Sequence, residues 1–403
     1  MYADYLCLQV IDGNQYQPGP PGGGGVLGYT PVNVFYRTIK NFVIDLTAIP
    51  STSEATGLHW PTAQATSLQN LVFKMSDRAG TLHQGVFIEG GSGGYMGDLV
   101  FYGGRYGAVF GNQQFTARNL TFYNAVTAIN QIWDWGWTYQ GININNCTTG
   151  IDMSGLDQNG AQAVGSVTVL DSTITNTGTF IKTAWKQGSK PDTGGSLIIE
   201  NIDLRNVGVA VQGPSSAYLP GGTRNIPTYR QGHCYTPGGG NPDDVSGTFL
   251  SFPRPSSLLR ADKKYYYRSK PQYENLPVSS FVSIRASGAI GDGITDDVAI
   301  INTVLKNAAA AGKVVFFDAG HYRVTTTVYV PPGSRIVGEA FSVITGWGSF
   351  FENISAPQPV VKVGNSGETG NVEWSDMIVS THGPMKGAIL IRKFDECCQR
   401  FYR

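Results

Sequence analysis

Short apolar runs framed by asparagine, aspartate or glycine recur along the first half of the chain. Six runs of six residues carry apolar side chains mainly at positions two and four. They are NLVFKM from Asn70, DLVFYG from Asp98, NLTFYN from Asn119, GININN from Gly141, DSTITN from Asp171 and NIDLRN from Asn201. Their starts lie 28, 21, 22, 30 and 30 residues apart, a spacing typical of solenoid repeats. Since one coil cannot bury its apolar face alone, stacked neighbours must supply the core. The pattern therefore predicts an all-β fold of stacked parallel coils from about residue 33 to residue 213.

The sixth position of these runs is asparagine in four of them. The four residues are Asn124, Asn146, Asn176 and Asn206. An asparagine here could contact a ligand, or it could stack on its neighbours and satisfy backbone groups of the turn. We expect the structural role. Asn-X-Ser/Thr triplets occur at Asn119, Asn146 and Asn353, and the first two coincide with repeat positions. Sugar attachment at any of them requires a secreted chain.

A second pattern occupies residues 281–337. It reads as a short strand, a Gly-Asp-Gly turn, an amphipathic helix and then a buried strand at residues 313–317. Helical spacing predicts one buried face made of Val298, Ile301, Leu305 and Ala308. Thr295 is the predicted N-cap of this helix and Gly312 its predicted end.

Three carboxylates lie around the start of this predicted helix. Asp292, Asp296 and Asp297 resemble a catalytic cluster. Carboxylates are also favoured in turns and at the positive end of a helix. We therefore interpret the three as structural.

Residues 214–280 are rich in proline, glycine and tyrosine and show no strand rhythm. Long stretches of this kind are typically linkers or functional loops. The chain therefore divides into four predicted segments. They are a first β-helix without its N-terminal cap (1–213), a linker arm (214–280), the start of a second β-helix with a helical cap (281–391) and a discordant tail (392–403). The tail is expected to pack poorly, because charged residues interrupt any strand pattern in it.

Amino-acid composition limits the kinds of ligand that the protein is expected to bind. The chain has no net charge, 14% charged residues and 11% aromatic residues, which suits an uncharged polymer better than nucleic acid. The five cysteines lack metal-ligand spacing and the five histidines are isolated in sequence, so neither a cofactor nor a metal is expected. No apolar run is long enough for a membrane span, and the first residues do not read as a signal peptide.

The segment QIWDWGW is the most distinctive candidate for ligand binding. A straight strand places its alternate residues Gln131, Trp133, Trp135 and Trp137 on one face, although strict alternation also turns Asp134 inward, so a bend is expected there. Indole faces stack on the apolar face of a sugar ring, and three of them suit a glucan. Alternatively, two of the tryptophans cover the end of the β-helix or pack on the linker.

Two motifs carry a family resemblance. The GDGITDD run followed by KVVFFDAGHYRV resembles the cap of a pectate-lyase-like right-handed parallel β-helix. Two such helices joined by an arm rich in tyrosine and proline resemble glycoside hydrolase family 55, the fungal and bacterial β-1,3-glucanases. The tryptophan-rich segment, FPRPSSLL, SKPQYENLP and the cap carry this likeness, which extends from about Tyr29 to Ile391. It implies a tandem β-helix whose second helix is incomplete here.

The resemblance implies release of glucose from β-1,3-glucan with inversion at the anomeric carbon. Inversion requires a carboxylic acid that protonates the leaving oxygen while water attacks from the opposite face. In the family this acid is a glutamate late in the second helix, in a part that this chain does not match. The catalytic residues are therefore unknown, and the general acid is expected beyond this chain.

The resemblance also implies which residues contact substrate. In the family, glutamines of the first helix border the attacking water, and the matching positions here are Gln84, Asn112, Gln114 (or Gln113) and Gln131. Together with Trp133, Trp135 and Trp137 they form the predicted substrate-binding set. The parent protein is expected to be a monomer that acts outside the cell.

Two other functions stay open. A non-catalytic glucan-binding protein accounts for the same tryptophans without the acid. A polysaccharide lyase needs an acidic substrate, basic catalytic groups and often calcium, and the repeats carry no Arg/Lys cluster or aspartate ladder.

Overall fold

The computed structural model describes residues 8–19, 25–235, 243–250 and 253–393. The chain divides into two compact units, one ending at Ser269 and the other beginning at Lys270. Both units consist mainly of parallel strands. Within the described residues, no helix is long and apolar enough to cross a membrane.

The first unit is almost entirely β-structure. Its described strands are β1 (Leu8–Asp12), β2 (Tyr16–Gln17), β3 (Val26–Leu27), β4 (Thr38–Asp45), β5 (Ala55–His59), β6 (Ser67–Lys74), β7 (His83–Ile88), β8 (Tyr95–Tyr102), β9 (Tyr106–Tyr123), β10 (Thr127–Gln140), β11 (Asn143–Asn145), β12 (Thr149–Met153), β13 (Ser166–Leu170), β14 (Thr173–Thr183), β15 (Ser196–Gln212), β16 (Ala217–Cys234) and β17 (Asp243–Gly247). Short 3-10 helices span Pro31–Asn33 and Ser256–Leu258.

Strand pairing arranges the coils into three parallel sheets that share strands at the corners. Sheet A contains residues 38–40, 67–69, 95–97, 116–118, 137–140, 166–170 and 196–200. Sheet B contains 42–45, 71–74, 99–102, 120–123, 143–145, 173–175 and 203–205. Sheet C contains 8–12, 55–59, 83–88, 106–110, 127–131, 149–153, 179–183 and 207–212. The predicted parallel β-helix is therefore confirmed.

Each six-residue run of the sequence is one strand of sheet B with a corner at either end. The first residue of every run has a left-handed backbone, with φ between 50° and 67°. The sixth residue of the last five runs does as well, with φ between 47° and 72°. Asparagine, aspartate and glycine tolerate this conformation best, which explains why they frame the runs.

The recurrent asparagines form ladders between coils, as predicted. Asn146 Nδ2 donates to Asn124 Oδ1 at 2.9 Å, and Asn206 Nδ2 donates to Asn176 Oδ1 at 2.8 Å. Each bond joins equivalent corners of neighbouring coils. The side chains therefore fix coil stacking rather than facing a ligand.

The core fills the space between the three sheets. Positions two and four of the runs are buried, and position four stacks in register from coil to coil. The rings of Phe73, Phe101 and Phe122 lie parallel with centroids 4.8 Å and 4.6 Å apart. Offset-stacked rings at this spacing contribute beyond their buried area.

The segment predicted to lack strands contains one of the longest strands of the protein. β16 runs antiparallel to β15 around the whole last coil, from Leu197 opposite Gln231 to Gln212 opposite Ala217. β17 then pairs antiparallel with β16. This prediction was wrong because proline and glycine in β16 coincide with register shifts and with an edge, where they are tolerated. The added strands cover the otherwise unpaired edge of the last coil.

Residues 254–269, which follow β17 in the chain, pack on the corner between sheets A and B. Arg254 Nη1 lies 2.7 Å from Asp171 Oδ1, and the N–H of Tyr265 donates to Asp171 Oδ2 at 2.8 Å. Ser269 Oγ donates to Asp98 Oδ1 at 2.6 Å. Aspartates at these two corners thus accept hydrogen bonds from the arm, and the arm belongs to the first unit as far as Ser269.

The second unit begins a further set of parallel coils. Its described elements are β18 (Phe281–Ser283), β19 (Asp292–Asp296), α1 (Val298–Ala310), β20 (Val314–Phe317), β21 (Gly320–Val324), β22 (Val328–Val330), β23 (Arg335–Gly346), β24 (Gln358–Val363), β25 (Glu373–Thr381) and β26 (Ala388–Lys393), with 3-10 helices at Val278–Ser280 and Ser349–Phe351. In one sheet β18 pairs with β20 and β20 with β23; β23 also pairs with β25 and with β21, and β19 pairs with β21. Another joins β22, β24 and β26.

Helix α1 covers the first coil of this unit. Its buried residues are Ile301, Val304, Leu305 and Ala308, and Val298 packs beside them half-buried. The helix begins after Asp297, so the predicted N-cap at Thr295 was wrong, because β19 continues through that residue. Gly312 follows the helix with a φ of 63°, as predicted for its end.

The three aspartates before the helix are structural, as predicted. Asp292 Oδ1 accepts the N–H groups of Ile294 and Thr295 at 2.8 Å and 2.7 Å. Asp297 accepts two further backbone N–H groups, and Asp296 accepts the hydroxyl of Thr325. Every one of these carboxylates is engaged within a turn or between coils.

The predicted tail begins too early by two residues. Residues 392 and 393 continue β26, which pairs parallel with β24. Residues 394–403 lie outside the described part of the chain.

Candidate functional site

An open groove of about 500 Å³ crosses four successive coils of the first unit. Its lining comes from residues 64–66, 93–95 and 114–116, together with Gly136 and Thr138. These residues lie where the loops between sheets C and A lead into the strands of sheet A. Because parallel coils repeat this junction, chemically similar groups recur along the groove.

Three hydroxyl-bearing residues of the lining form a row along the floor: Tyr95, Thr116 and Thr138. Pairing in sheet A aligns Tyr95 with Thr116 and Thr116 with Thr138. Ser67 and Thr168 extend the row at its two ends, beyond the groove lining. Adjacent strands lie about 4.8 Å apart, so the row offers regularly spaced hydrogen-bonding groups. A polyhydroxylated chain is a suitable partner for such a floor.

The tryptophans of β10 lie on different faces, because the strand has a bulge and then passes from sheet C to sheet A. The pairing of β9 with β10 shifts register between Gln131 and Trp133. Asp134 and Trp137 are both buried although they lie three residues apart, and Trp135 between them is 65% exposed next to Gly136 of the groove. The bend expected at this point is therefore present, and it leaves one indole free to contact a ligand.

Trp137 cannot be a sugar platform, contrary to the sequence prediction. It is 1% exposed, and its indole stacks on Phe110 and Phe115 at 4.8 Å and 4.9 Å. Its Nε1 donates to the backbone oxygen of Asn112 at 3.0 Å. The alternation that suggested a shared face breaks between Asp134 and Trp137, which are both buried although they lie three residues apart.

Trp133 and Gln84 are neither fully buried nor exposed. Trp133 is half-buried, and its Nε1 donates to the Glu89 backbone oxygen at 2.8 Å. Gln84 is half-buried and donates to Thr56 Oγ1 at 2.7 Å. Neither is part of the groove lining.

Two of the predicted amides are buried. Asn112 is 0% exposed, and its Nδ2 donates to the backbone oxygens of Thr62 and Gly90 at 3.3 Å and 3.4 Å. Gln131 is also 0% exposed, and its Oε1 accepts the hydroxyl of Tyr139. Both amides are buried and bonded inside the coils, so their prediction as direct substrate contacts was wrong.

Gln114 is the one predicted amide that lines the groove. It is exposed, and within the described residues its side chain makes no hydrogen bond. Its backbone N–H donates to Asn112 Oδ1 at 3.4 Å. The buried Asn112 therefore positions the exposed Gln114, and the choice between residues 113 and 114 favours Gln114 as the lining residue.

Asp134 fixes the loop that carries Trp135. Its Oδ1 accepts the N–H groups of Gly165 and Ser166, both at 2.9 Å. The residue is 4% exposed, and Oδ2 has no hydrogen-bond partner among the described residues. Burial raises the pKa of Asp134 to about 7, although the hydrogen bonds from Ser166 and Gly165 oppose the increase. A buried, partly unpaired carboxyl of this kind favours the neutral form.

A second polar cluster lies close to Trp133 in the fold. The His59 ring is completely buried between Asp12, 2.8 Å from Nδ1, and Glu89, 2.9 Å from Nε2. Tyr16 stacks on the ring at 5.2 Å and donates its hydroxyl to Glu89 at 2.8 Å. Burial lowers the pKa of His59, but the hydrogen bonds and charges of Glu89 and then Asp12 outweigh it and raise the pKa overall. His59, which is isolated in the sequence, therefore has two carboxylate partners in the fold.

The groove itself offers hydroxyl, amide and aromatic groups, and its lining includes no carboxylate. Within the described residues, no group of three His, Cys, Asp or Glu side chains could hold a metal ion. The floor was missed in the sequence, although a signal exists. Each floor residue lies three positions before the start of a six-residue run, as with Tyr95 before Asp98 and Thr116 before Asn119.

The chain is similar in sequence to a known protein family and to several fungal proteins. The family model described as rhamnogalacturonase A/epimerase, pectate lyase-like, matches residues 3–152 and 281–376. A glucan 1,3-beta-glucosidase of Cochliobolus carbonum is 46% identical over 388 residues, which cover 96% of this chain and 48% of that protein. A probable glucan endo-1,3-beta-glucosidase of Arthroderma benhamiae is 34% identical over 480 residues, covering 95% of this chain and 54% of that protein. A Penicillium expansum protein named non-secreted LysM effector LysM15 is 36% identical over 405 residues, covering 96% of this chain and 28% of that protein. The chain thus spans about half the length of the two glucosidase relatives.

Proposed function

Because the chain belongs to the rhamnogalacturonase A/epimerase, pectate lyase-like family, we propose that its groove binds β-1,3-glucan and serves a hydrolase that releases glucose from that polymer. The similarity to a glucan 1,3-beta-glucosidase confirms the resemblance to glycoside hydrolase family 55 predicted from the sequence. One observation carries the proposal. Trp135, exposed beside a groove floored by hydroxyl groups, combines an indole face with regularly spaced polar partners.

Each part of the groove has a role in binding a neutral sugar chain. The indole of Trp135 can cover the apolar face of a glucose ring, and Gln114 can exchange hydrogen bonds with its hydroxyls. Tyr95, Thr116 and Thr138 can both donate and accept along the floor. None of these groups is charged at neutral pH, which suits a glucan better than an acidic polysaccharide. A lyase substrate would require compensating positive charge that this lining lacks.

Binding and hydrolysis place different demands on the protein. Inverting hydrolysis needs two carboxyl groups about 6.5–9.5 Å apart, one as acid and one as base. The groove lining supplies no carboxylate, so these residues bind and orient substrate without transferring a proton. We place the general acid of the complete reaction outside the groove. We also propose that the protein acts outside the cell, where the polymer is accessible, and that it is a monomer.

The test measures binding and turnover separately on the chain of residues 1–403. Laminarin affinity is measured by calorimetry, and glucose release is measured in the same preparation. We expect Trp135→Ala to weaken binding about tenfold, since an aromatic contact contributes about 1 kcal/mol or more. Gln114→Ala should weaken binding to a smaller extent. Tyr235→Ala is the matched control, because Tyr235 is 63% exposed and does not line the groove.

Unchanged affinity in both Trp135→Ala and Gln114→Ala would exclude the groove as the glucan site. An equal loss in Tyr235→Ala would indicate a non-specific effect of removing exposed aromatic rings. Laminarin binding with little glucose release supports the division between groove and acid. Full turnover by this chain would show that an acid lies within it and would overturn that division.

A further inference from the structure

Three Asn-X-Ser/Thr triplets occur in the chain, and the fold treats them differently. They begin at Asn119, Asn146 and Asn353. Sugar attachment to such a triplet requires an amide nitrogen that can carry a bulky group on the surface of the folded protein. The environment of each Nδ2 atom therefore decides which triplet suits a glycan.

Two of the three nitrogens are committed to coil stacking. Asn119 Nδ2 donates to Asp98 Oδ1 at 2.7 Å, and Asn146 Nδ2 donates to Asn124 Oδ1 at 2.9 Å. Both asparagines hold left-handed corners, with φ of 54° and 52°. A sugar on either nitrogen would have to share the roughly 4.8 Å between coils with a neighbouring side chain. Attachment there conflicts with the ladder that keeps the coils in register.

Asn353 has the opposite environment. It follows the 3-10 helix Ser349–Phe351 in an exposed stretch that continues to residue 357. Its Oδ1 accepts the N–H of Ser355 at 2.9 Å, which orients the side chain within the turn. Within the described residues, its Nδ2 donates no hydrogen bond. The Nδ2 atom of Asn353 is therefore available for sugar attachment, and Ser355, the hydroxyl residue of the triplet, lies in the same turn.

We propose that Asn353 is an N-glycosylation site when the chain enters a secretory pathway, and that Asn119 and Asn146 are not occupied in the folded protein. The donor is a polyisoprenyl-diphosphate-linked oligosaccharide, supplied with its transferase by the host. A bond forms between Asn353 Nδ2 and the anomeric carbon of the first N-acetylglucosamine. The bond from that carbon to the diphosphate oxygen breaks, the lipid diphosphate leaves, and the amide loses one proton. No oxidation or reduction occurs.

Asn353 is not part of the proposed glucan site. Asn353 lies in the second unit, and it is absent from the groove lining. Removing its glycan should therefore leave laminarin binding unchanged. Protein molecules that receive a glycan on Asn119 or Asn146 before folding should be depleted from secreted material, because they cannot form the side-chain ladders between coils.

The experiment secretes the full chain from yeast behind a cleavable leader. Purified protein is treated with peptide-N-glycosidase in ¹⁸O water, which marks each formerly modified asparagine as aspartate, and peptides are mapped by mass spectrometry. We expect the label at Asn353 and at neither of the other two asparagines. The electrophoretic shift on enzyme treatment should disappear in Asn353→Gln.

A second variant separates the triplet from the asparagine. Ser355→Ala keeps Asn353 and removes the hydroxyl that the triplet requires, so it should also abolish the shift. Both substitutions lie in the exposed turn and should leave the thermal midpoint unchanged. Secreted, folded protein with unmodified Asn353 overturns the proposal, and so does a label at Asn119 or Asn146.

Discussion

The buried carboxyl of Asp134 should make the stability of the first unit depend on pH. The folded protein raises the pKa of Asp134 from the ordinary 3.8 to about 7, because burial disfavours its charge. The native state therefore binds a proton that the unfolded chain has already lost between pH 4 and pH 7. Stability from this group is fully present below about pH 4 and falls as pH rises to about 7.

The size of the effect follows from the change in pKa. A rise from 3.8 to about 7 corresponds to about 4 kcal/mol, at about 1.4 kcal/mol per pKa unit. Asp134→Asn keeps an oxygen for the N–H groups of Gly165 and Ser166 but cannot ionise. Its amide nitrogen lies where Oδ2 has no partner, which costs about 1–3 kcal/mol. The variant should therefore be about 1–3 kcal/mol more stable than wild type at pH 8, and equal or less stable at pH 4.5.

The assay compares denaturant midpoints of the wild type and the variant from pH 4.5 to pH 8. The difference between the two proteins isolates Asp134, because every other titrating group is common to both. Asp157→Asn is the matched control. Asp157 is exposed and also accepts two backbone N–H groups, those of Asn159 and Ala161 at 2.8 Å, so the same substitution there controls for removing a turn carboxylate that is not buried. Parallel pH profiles for wild type and Asp134→Asn would refute the reasoning.

Two further predictions concern the core and the histidine cluster. Phe101→Ala should lower the free energy of unfolding by about 3–5 kcal/mol, because Phe101 is completely buried between two stacked rings. Tyr102→Ala, on the exposed face of the same strand, should lower it far less. Equal losses of unfolding free energy in the two variants would contradict the ring stack as a source of stability. His59→Gln should destabilise the protein most below pH 6.5, since the raised pKa of His59 adds stability that is fully present below the unfolded pKa and lost as pH rises through the folded pKa. A thermal-midpoint difference between wild type and His59→Gln that stays constant from pH 5 to pH 9 would count against this assignment.

The coil architecture was accessible from the sequence because its cause is local. A corner in the left-handed region selects asparagine, aspartate or glycine, and the strand between two corners needs apolar residues at fixed positions. The runs from Asn70 to Asn201 record both requirements in every coil, so their order predicted the parallel stacking. The aspartates before α1 were assigned correctly for the same reason, since their partners lie mostly within a few residues along the chain.

The candidate site depended on contacts that no local pattern records. β10 shifts register after Gln131 and then passes from sheet C to sheet A, so that Trp135 is exposed and Trp137 lies in the core. Alternation predicts side-chain direction only while the strand is regular. Proline and glycine concealed β16, whose position is determined by the open edge of β15 rather than by its own residues.

The polar clusters show the same division between sequence and tertiary structure. Asp12, His59 and Glu89 are 47 and 30 residues apart, and they meet only because successive coils stack directly above one another. The groove floor likewise joins Tyr95, Thr116 and Thr138 from three coils. The sequence by itself determined which residues turn, pair and fill each coil. Only the stacking of coils of unequal length decided which of the remaining side chains share a surface, because that depends on loop length and register rather than on residue type.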